Sequence, residues 1–288
     1  ASDSTDDVQD DSKTIINASV LGKVFEKING YKDGSIYTPG FITMYMCRKA
    51  IRLAVVQKFK DTYGWNIDTF DDIKNYLADR RSAKDILEFN TVINSLRLCD
   101  PAVGSGHYLV SALNEFIAIK YELGIFADSQ GNRIRDYSIE IVNDELLVTD
   151  YEGNIFEYKM QSGKPLNTAI QQLQKTLFHE KQTIIENCLF GVDINPNSVK
   201  ICRLRLWIEL LKSAYYRQDD SSDGTVGHRL NYDSSDLYDE DDSKSTSSHQ
   251  SQQSHQSHQS QQSYQSQKSQ FRQLETLPNI DINIKCGN

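Results

Sequence analysis

Asp100-Pro101-Ala102-Val103-Gly104-Ser105-Gly106-His107-Tyr108-Leu109 places a glycine turn behind an acidic residue. Just upstream, Leu96 and Leu98 alternate with Arg97 ahead of Cys99, as in a short strand. Downstream, Leu109, Leu113, Phe116, Ile117 and Lys120 recur at helical spacing. A strand that ends in an acid and passes through Gly-x-Gly into a helix is the geometry of an α/β nucleotide-type cofactor site. The polar part of such a cofactor meets backbone amides at the helix N-terminus. The third glycine of the dinucleotide fingerprint would fall at Leu109, so the stretch fails the NAD pattern and counts against a dehydrogenase.

Working outward, the chain alternates strand and helix. A long helix over about 165–187 leads into an apolar strand from Cys188 to Ile194, and a further helix runs from Pro196 to Tyr216. Asp193 is the next acid at a strand end, where a carboxylate accepts hydrogen bonds from ribose hydroxyls or, alternatively, opens the helix at Pro196. Before the glycine turn lie amphipathic segments at 15–30 and from Thr38-Pro39 to about Lys60, then at Asp68–Arg80 and Ser82–Ser95. Thr38 is placed to cap a helix whose first residue is Pro39, leaving N–H groups able to receive a carboxylate. Between 132 and 160 the periodicity switches to three short alternating runs, Tyr137–Val142, Leu146–Val148 and Ile155–Tyr158, separated by Asn143-Asp144 and Glu152-Gly153-Asn154. This predicts a β-meander inserted in the α/β body.

Composition divides the chain further. Hydrophobic residues make up 38% of 288, a little low for that length, and the formal net charge is −9. Residues 1–13 carry five acids against one lysine, and residues 218–242 carry nine against one arginine, so the rest of the chain is near +3. The acidity belongs to these stretches, and the charge balance of the body is compatible with an anionic partner. Residues 245–270 are almost wholly Ser, Gln and His, with too little apolar side chain to offset ordering entropy. His249, His255 and His258 within them lack the fixed geometry a metal site needs. Five widely spaced cysteines without a Cys-x-x-Cys pair read as reduced, mostly buried thiols. With no apolar run approaching the roughly 20 residues that span a bilayer, the expected location is cytoplasmic, with no membrane partner.

Three motifs together carry a family resemblance: Tyr37-Thr38-Pro39, the stretch from Asp100 to Leu109, and Phe190-Gly191-Val192-Asp193-Ile194-Asn195-Pro196 followed by Arg203-Leu204-Arg205-Leu206-Trp207. In this order they resemble the gamma-class N6-adenine DNA methyltransferases, in particular the methyltransferase region of type IIG restriction-modification enzymes. The resemblance covers about residues 15–217 and 271–288. It implies a Rossmann-like S-adenosylmethionine-dependent core with a partial, truncated sheet, and double-stranded DNA with a flipped adenine as the partner of the full-length enzyme. No metal is implied for methyl transfer.

By the same resemblance, Thr38 and Pro39 would hold the methionine carboxylate. Asp100, Pro101, Ala102, Gly104, Ser105 and Gly106 would line the methionine side, and Asp193 with Ile194 would hold ribose and adenine. Asn288 would fall near the target base. Val103 and Tyr108 are modest departures, standing where a small residue or cysteine and phenylalanine are usual. The serious departure is that the catalytic Asn-Pro-Pro-aromatic signature is missing, since the prolines at 39, 101, 165, 196 and 278 include no adjacent pair.

The expected organisation is therefore a disordered acidic N-terminus (1–14), a helical layer (15–95), and an α/β core (96–217) with a β-rich insertion at about 124–164. A disordered insertion (218–270) and a third core strand (271–288) follow. The expected function is the cofactor-binding part of an adenine-specific DNA methyltransferase, inactive on its own. The alternatives are a non-catalytic scaffold with a degenerate methyltransferase fold, or a methyltransferase acting on protein or RNA.

Overall fold

The computed structural model describes residues 38–158, 167–216 and 283–287. By its internal contacts the chain divides into two units, residues 1–215 with 275–288, and residues 216–274. Every element below belongs to the first. The expectations for residues 1–37, 217–282 and 288 lie outside the described residues, and with them the 15–30 helix, the Ser/Gln/His tract and Asn288.

Helix α1, Gly40–Tyr63, buries Thr43, Cys47, Ile51, Val55 and Phe59 at intervals of four, and that stripe packs on the helix following the glycine turn. Gly64 ends it in the left-handed region, with φ 65° and its N–H on Lys60 O at 2.8 Å. Helices α2 (Phe70–Leu77) and α3 (Ala83–Asn94) both start with reciprocal capping boxes, Thr69 with Asp72 and Ser82 with Asp85. Trp65 stacks between Tyr63 (4.6 Å) and Tyr76 (4.7 Å) and ties α1 to α2.

Strand β1 (Leu98–Asp100) is parallel to β4 (Leu189–Asp193), which is parallel to β5 (Ile284–Cys286), giving the order β1-β4-β5. Between β1 and β4 run α4 (His107–Glu122), the hairpin β2 (Tyr137–Val142) and β3 (Glu145–Asp150), and α5 (Thr168–Asn187). Helix α6 (Pro196–Leu211) follows β4. Helix α4 is buried from Leu109 to Lys120 on every face, because α1, α5, α6, β4 and the hairpin surround it. Helices around a small parallel sheet make this an α/β fold.

The hairpin forms its own two-stranded sheet. Asn143 (φ 52°) and Asp144 (φ 68°) are both left-handed, the two-residue turn whose twist matches the strands. The expected third strand is corrected: Ile155–Tyr158 contributes one bridge, Thr149 to Ile155, and no ladder. Ile155 is 67% exposed, so further pairing there would bury no apolar face. The turn before it is closed by Asp150, whose Oδ1 accepts from the Glu152 and Asn154 N–H groups at 2.9 Å each. Asp128 closes the loop after α4 identically, accepting from Gln130 and Asn132 at 2.9 Å. Cys47, Cys188 and Cys202 are buried, Cys99 and Cys286 are exposed, and all five are free thiols.

Candidate cofactor site

Parallel pairing of Asp100 with Gly191 puts the two strand-end acids on one sheet edge, with Asp193 reaching two residues further. The glycine turn is stitched across this edge. Asp100 Oδ1 accepts from Ala102 N–H at 3.0 Å, Val103 N–H donates to Val192 O at 2.9 Å, and Gly104 N–H donates to Asp193 Oδ2 at 2.8 Å. Gly104 has φ 53° and Gly106 φ 81°. Val103 is buried in the space left by Gly191, where a Cβ would stand 2.8 Å from Val103 Cγ2. A Cβ on Gly106 would stand 2.6 Å from Cys202 Sγ, so only glycine lets α6 approach the start of α4 this closely.

Asp193 does not open α6. Asn195 caps that helix, its side chain accepting from Asn197 N–H at 2.9 Å. Asp193 Oδ1 accepts instead from Asn195 N–H at 2.8 Å, so each of its oxygens already holds one backbone amide and keeps a lone pair in reserve. Burial raises the Asp100 carboxyl, with the Ala102 N–H opposing and the Asp193 charge adding to the rise. Ile194, beside Asp193, is 73% exposed.

The cap expected at Thr38 is also corrected. Helix α1 begins at Gly40, its N-cap is Pro39 with ψ 140°, and no side chain caps it. The extended ψ of Pro39 leaves Thr38 one residue too far out to reach the first turn. Thr38 and Pro39 are exposed, and the adjoining Gly40 packs against His107 and Asp144, where a Cβ would sit 3.5 Å from His107 Nε2. The start of α1 therefore meets the start of the glycine-turn helix.

The groups that join them were not singled out from the sequence. Arg205 is only 2% exposed although it lies on a helix beside other charged residues, and Arg203 donates from Nη2 to Ile284 O at 2.7 Å. Arg205 Nη1 donates to Ser105 O (3.1 Å) and Ser105 Oγ (3.2 Å), and its Nη2 lies 3.3 Å from His107 Nδ1. A guanidinium only donates, so His107 Nδ1 accepts, and the proton of the neutral ring sits on Nε2. That nitrogen stands 3.2 Å from Asp144 Oδ2. Burial pushes the Asp144 carboxyl up to about 6, against the pull of Ser111 and Arg205. Further along α6, burial pulls the Glu209 carboxyl up, but Lys181 and Lys212 outweigh it and hold it below the usual range.

Among the described residues no cluster of His, Cys, Asp and Glu is arranged to hold a metal, and no helix is long and apolar enough to cross a membrane.

The strand that bears Asp193, the helix behind it and the strand beside it lie within one stretch that other proteins share. Residues 187–286 match the family model of the Eco57I restriction-modification methylases. Over 212 residues the chain is also 30% identical to a protein of Methanocaldococcus jannaschii, named as a type II restriction enzyme and methyltransferase. That alignment takes in 69% of this chain, and the chain spans 14% of the relative's length. The Eco57I match covers β4, α6 and β5, and so includes Asp193, Ile194 and Arg205.

Proposed function

We propose that this chain is the cofactor-binding part of an adenine-specific DNA methyltransferase of a restriction-modification system, using S-adenosylmethionine to methylate adenine N6. The observation that carries the reading is the pair Asp100 and Asp193 on one sheet edge, joined by the 2.8 Å bond from Gly104 N–H to Asp193. The similarity to Eco57I restriction-modification methylases supports it.

The residues fit such a cofactor. Helix α4 starts at a left-handed glycine with no side-chain cap, as a site for a polar ligand group requires. Asp193 keeps acceptor capacity for ribose hydroxyls, and exposed Ile194 offers an apolar face for an adenine ring. Pro101 and Ala102 are exposed beside Gly104 and Ser105 on the methionine side, and Thr38-Pro39 adjoins the same end through Gly40. When bound, S-adenosylmethionine supplies an electrophilic methyl group. Asp193 and the glycine turn orient the donor, while an acceptor for the amino hydrogens of adenine belongs to the Asn-Pro-Pro-aromatic signature, which residues 1–288 do not contain. Residues 1–288 alone are therefore expected to bind the cofactor with little or no turnover.

Titration calorimetry with S-adenosylmethionine on the chain and on Asp193→Ala tests this. Heat from the chain that is lost in the variant is expected. Equal heats from both, or none from the folded chain, overturn the assignment.

A further inference from the structure

A cavity of about 520 Å³ lies at the far end of α4, lined by Lys74, Arg81, Glu122, Arg133 and Arg135 among others. Its charges are unbalanced. Glu122 is already taken by Arg52, at 2.8 Å from Nη1, and Lys74 is held by Asp71 at 3.0 Å. Among the described residues Arg81, Arg133 and Arg135 have no acidic partner, and Arg81 turns its Nε to Ala78 O at 2.8 Å.

Arg133 is the fixed member of the group. Its guanidinium lies against the chain at Gly124, where a Cβ would stand 2.7 Å from Nη2, and its Nε is buried with no hydrogen-bond partner. Burial, and the neighbouring charges of Arg81 and Arg135, pull this guanidinium below its ordinary value. Two like charges beside a desolvated, incompletely bonded third form a local conflict that a bound anion removes. Arginine forks match the oxygens of phosphate.

We propose that the cavity bounded by Arg81, Arg133 and Arg135 binds a phosphate group, supplied by a DNA backbone or by free phosphate. The DNA source rests on the methyltransferase reading; the site itself does not. Helix α4 spans 16 residues, so the cavity lies roughly 24 Å from the glycine turn along its axis. The two sites can therefore be perturbed separately.

The test is titration of the chain with inorganic phosphate, against chloride at equal ionic strength, for wild type, Arg133→Gln and the doubly exposed-site variant Arg81→Gln/Arg135→Gln. Phosphate binding weakened tenfold or more in both variants is expected. The second variant changes only exposed side chains, so a folding defect in Arg133→Gln leaves the test intact. In parallel, the affinity for a short DNA duplex is measured against salt. A salt slope reduced by about 1 to 2 in the double variant assigns the phosphate to the DNA backbone. Weakened phosphate binding with an unchanged slope, or with no duplex binding at all, assigns free phosphate. Phosphate binding no stronger than chloride in wild type, or equal in all three proteins, overturns the site. S-adenosylmethionine heats on the same variants are expected to match wild type, so failure here and failure of the methyltransferase reading remain distinguishable.

Discussion

His107 Nε2 stands 3.2 Å from Asp144 Oδ2, which joins the tip of the hairpin to the first residue of the glycine-turn helix. The hairpin is inserted between β1 and β4, and this contact makes its tip part of the wall behind the candidate cofactor site.

The contact has a pH signature. Asp144 titrates at about 6 in the folded protein, above its ordinary 3.8, so the native state binds that proton more tightly than the unfolded chain does. Stability is therefore expected to fall as pH rises from about 4 to 6, by on the order of 3 kcal/mol for this group alone. Asp144→Asn keeps the shape and tolerates the left-handed backbone, and should flatten much of that slope. Urea midpoints for both proteins between pH 4 and 7 check this; an undiminished slope in the variant refutes it.

Gly104 and Gly106 should respond unequally to alanine. At Gly104 the nearest atom to an added Cβ is 4.0 Å away, so only backbone strain acts, at about 1 kcal/mol. At Gly106 the Cβ also meets Cys202 Sγ at 2.6 Å, which raises the expected loss to roughly 2–4 kcal/mol. Adding Cys202→Ala should return part of that loss. Strict additivity in the double-mutant cycle would count against the close approach.

Removing the Asp193 carboxylate should release two amides at once, Gly104 N–H and Asn195 N–H. Hydrogen exchange at both is expected to accelerate in Asp193→Ala, with a stability loss of roughly 1–3 kcal/mol. Asp193→Asn keeps a single acceptor oxygen and should protect only one of them. Unchanged exchange in the alanine variant would show that the turn is held by other contacts.

Arg205→Met should be among the most damaging single changes in the core. It leaves Ser105 O and His107 Nδ1 without their donor and removes a cation that faces Asp144 and Glu209, at an expected 3–5 kcal/mol. Arg205→Lys restores the charge without the fork and should recover only part of it. Denaturant unfolding of the two variants distinguishes charge from geometry; equal stabilities would assign the whole effect to the fork.

The scaffold was legible because its signals are local. Asp100 and Asp193 each end an apolar run, the glycines sit between a strand pattern and a helix pattern, and Asn143-Asp144 carries its own turn chemistry. The connections between these parts were not legible. Arg205, two residues after Arg203 on a helix, reads as a surface residue; its burial depends on Ser105 and His107, about a hundred residues earlier. Asp144 reads as a turn residue, and nothing nearby in sequence shows that its carboxylate is enclosed beside α1 and α4. The helix after Thr38-Pro39 opens one residue later than those two residues suggest, because Pro39 keeps an extended ψ. Ile155–Tyr158 alternates correctly, but alternation does not show whether a partner strand has a face left to cover.

The sheet order also sets a schedule for folding. The β2–β3 hairpin closes within a few residues of its own turn, on the microsecond scale. In contrast β4, the middle strand, pairs with β1 (Leu98 with Leu189) and with β5 (Gly191 with Ile284) across about ninety residues each way. On a ribosome adding roughly 5–20 residues per second, β4 waits about 5–20 s for its second neighbour. During that interval the Gly191 amide, which finally donates to Asn283 O at 3.1 Å, faces outward on an unpaired edge. The strand that carries Asp193 therefore keeps one edge open to wrong partners until Ile284 has been made and pairs with Gly191.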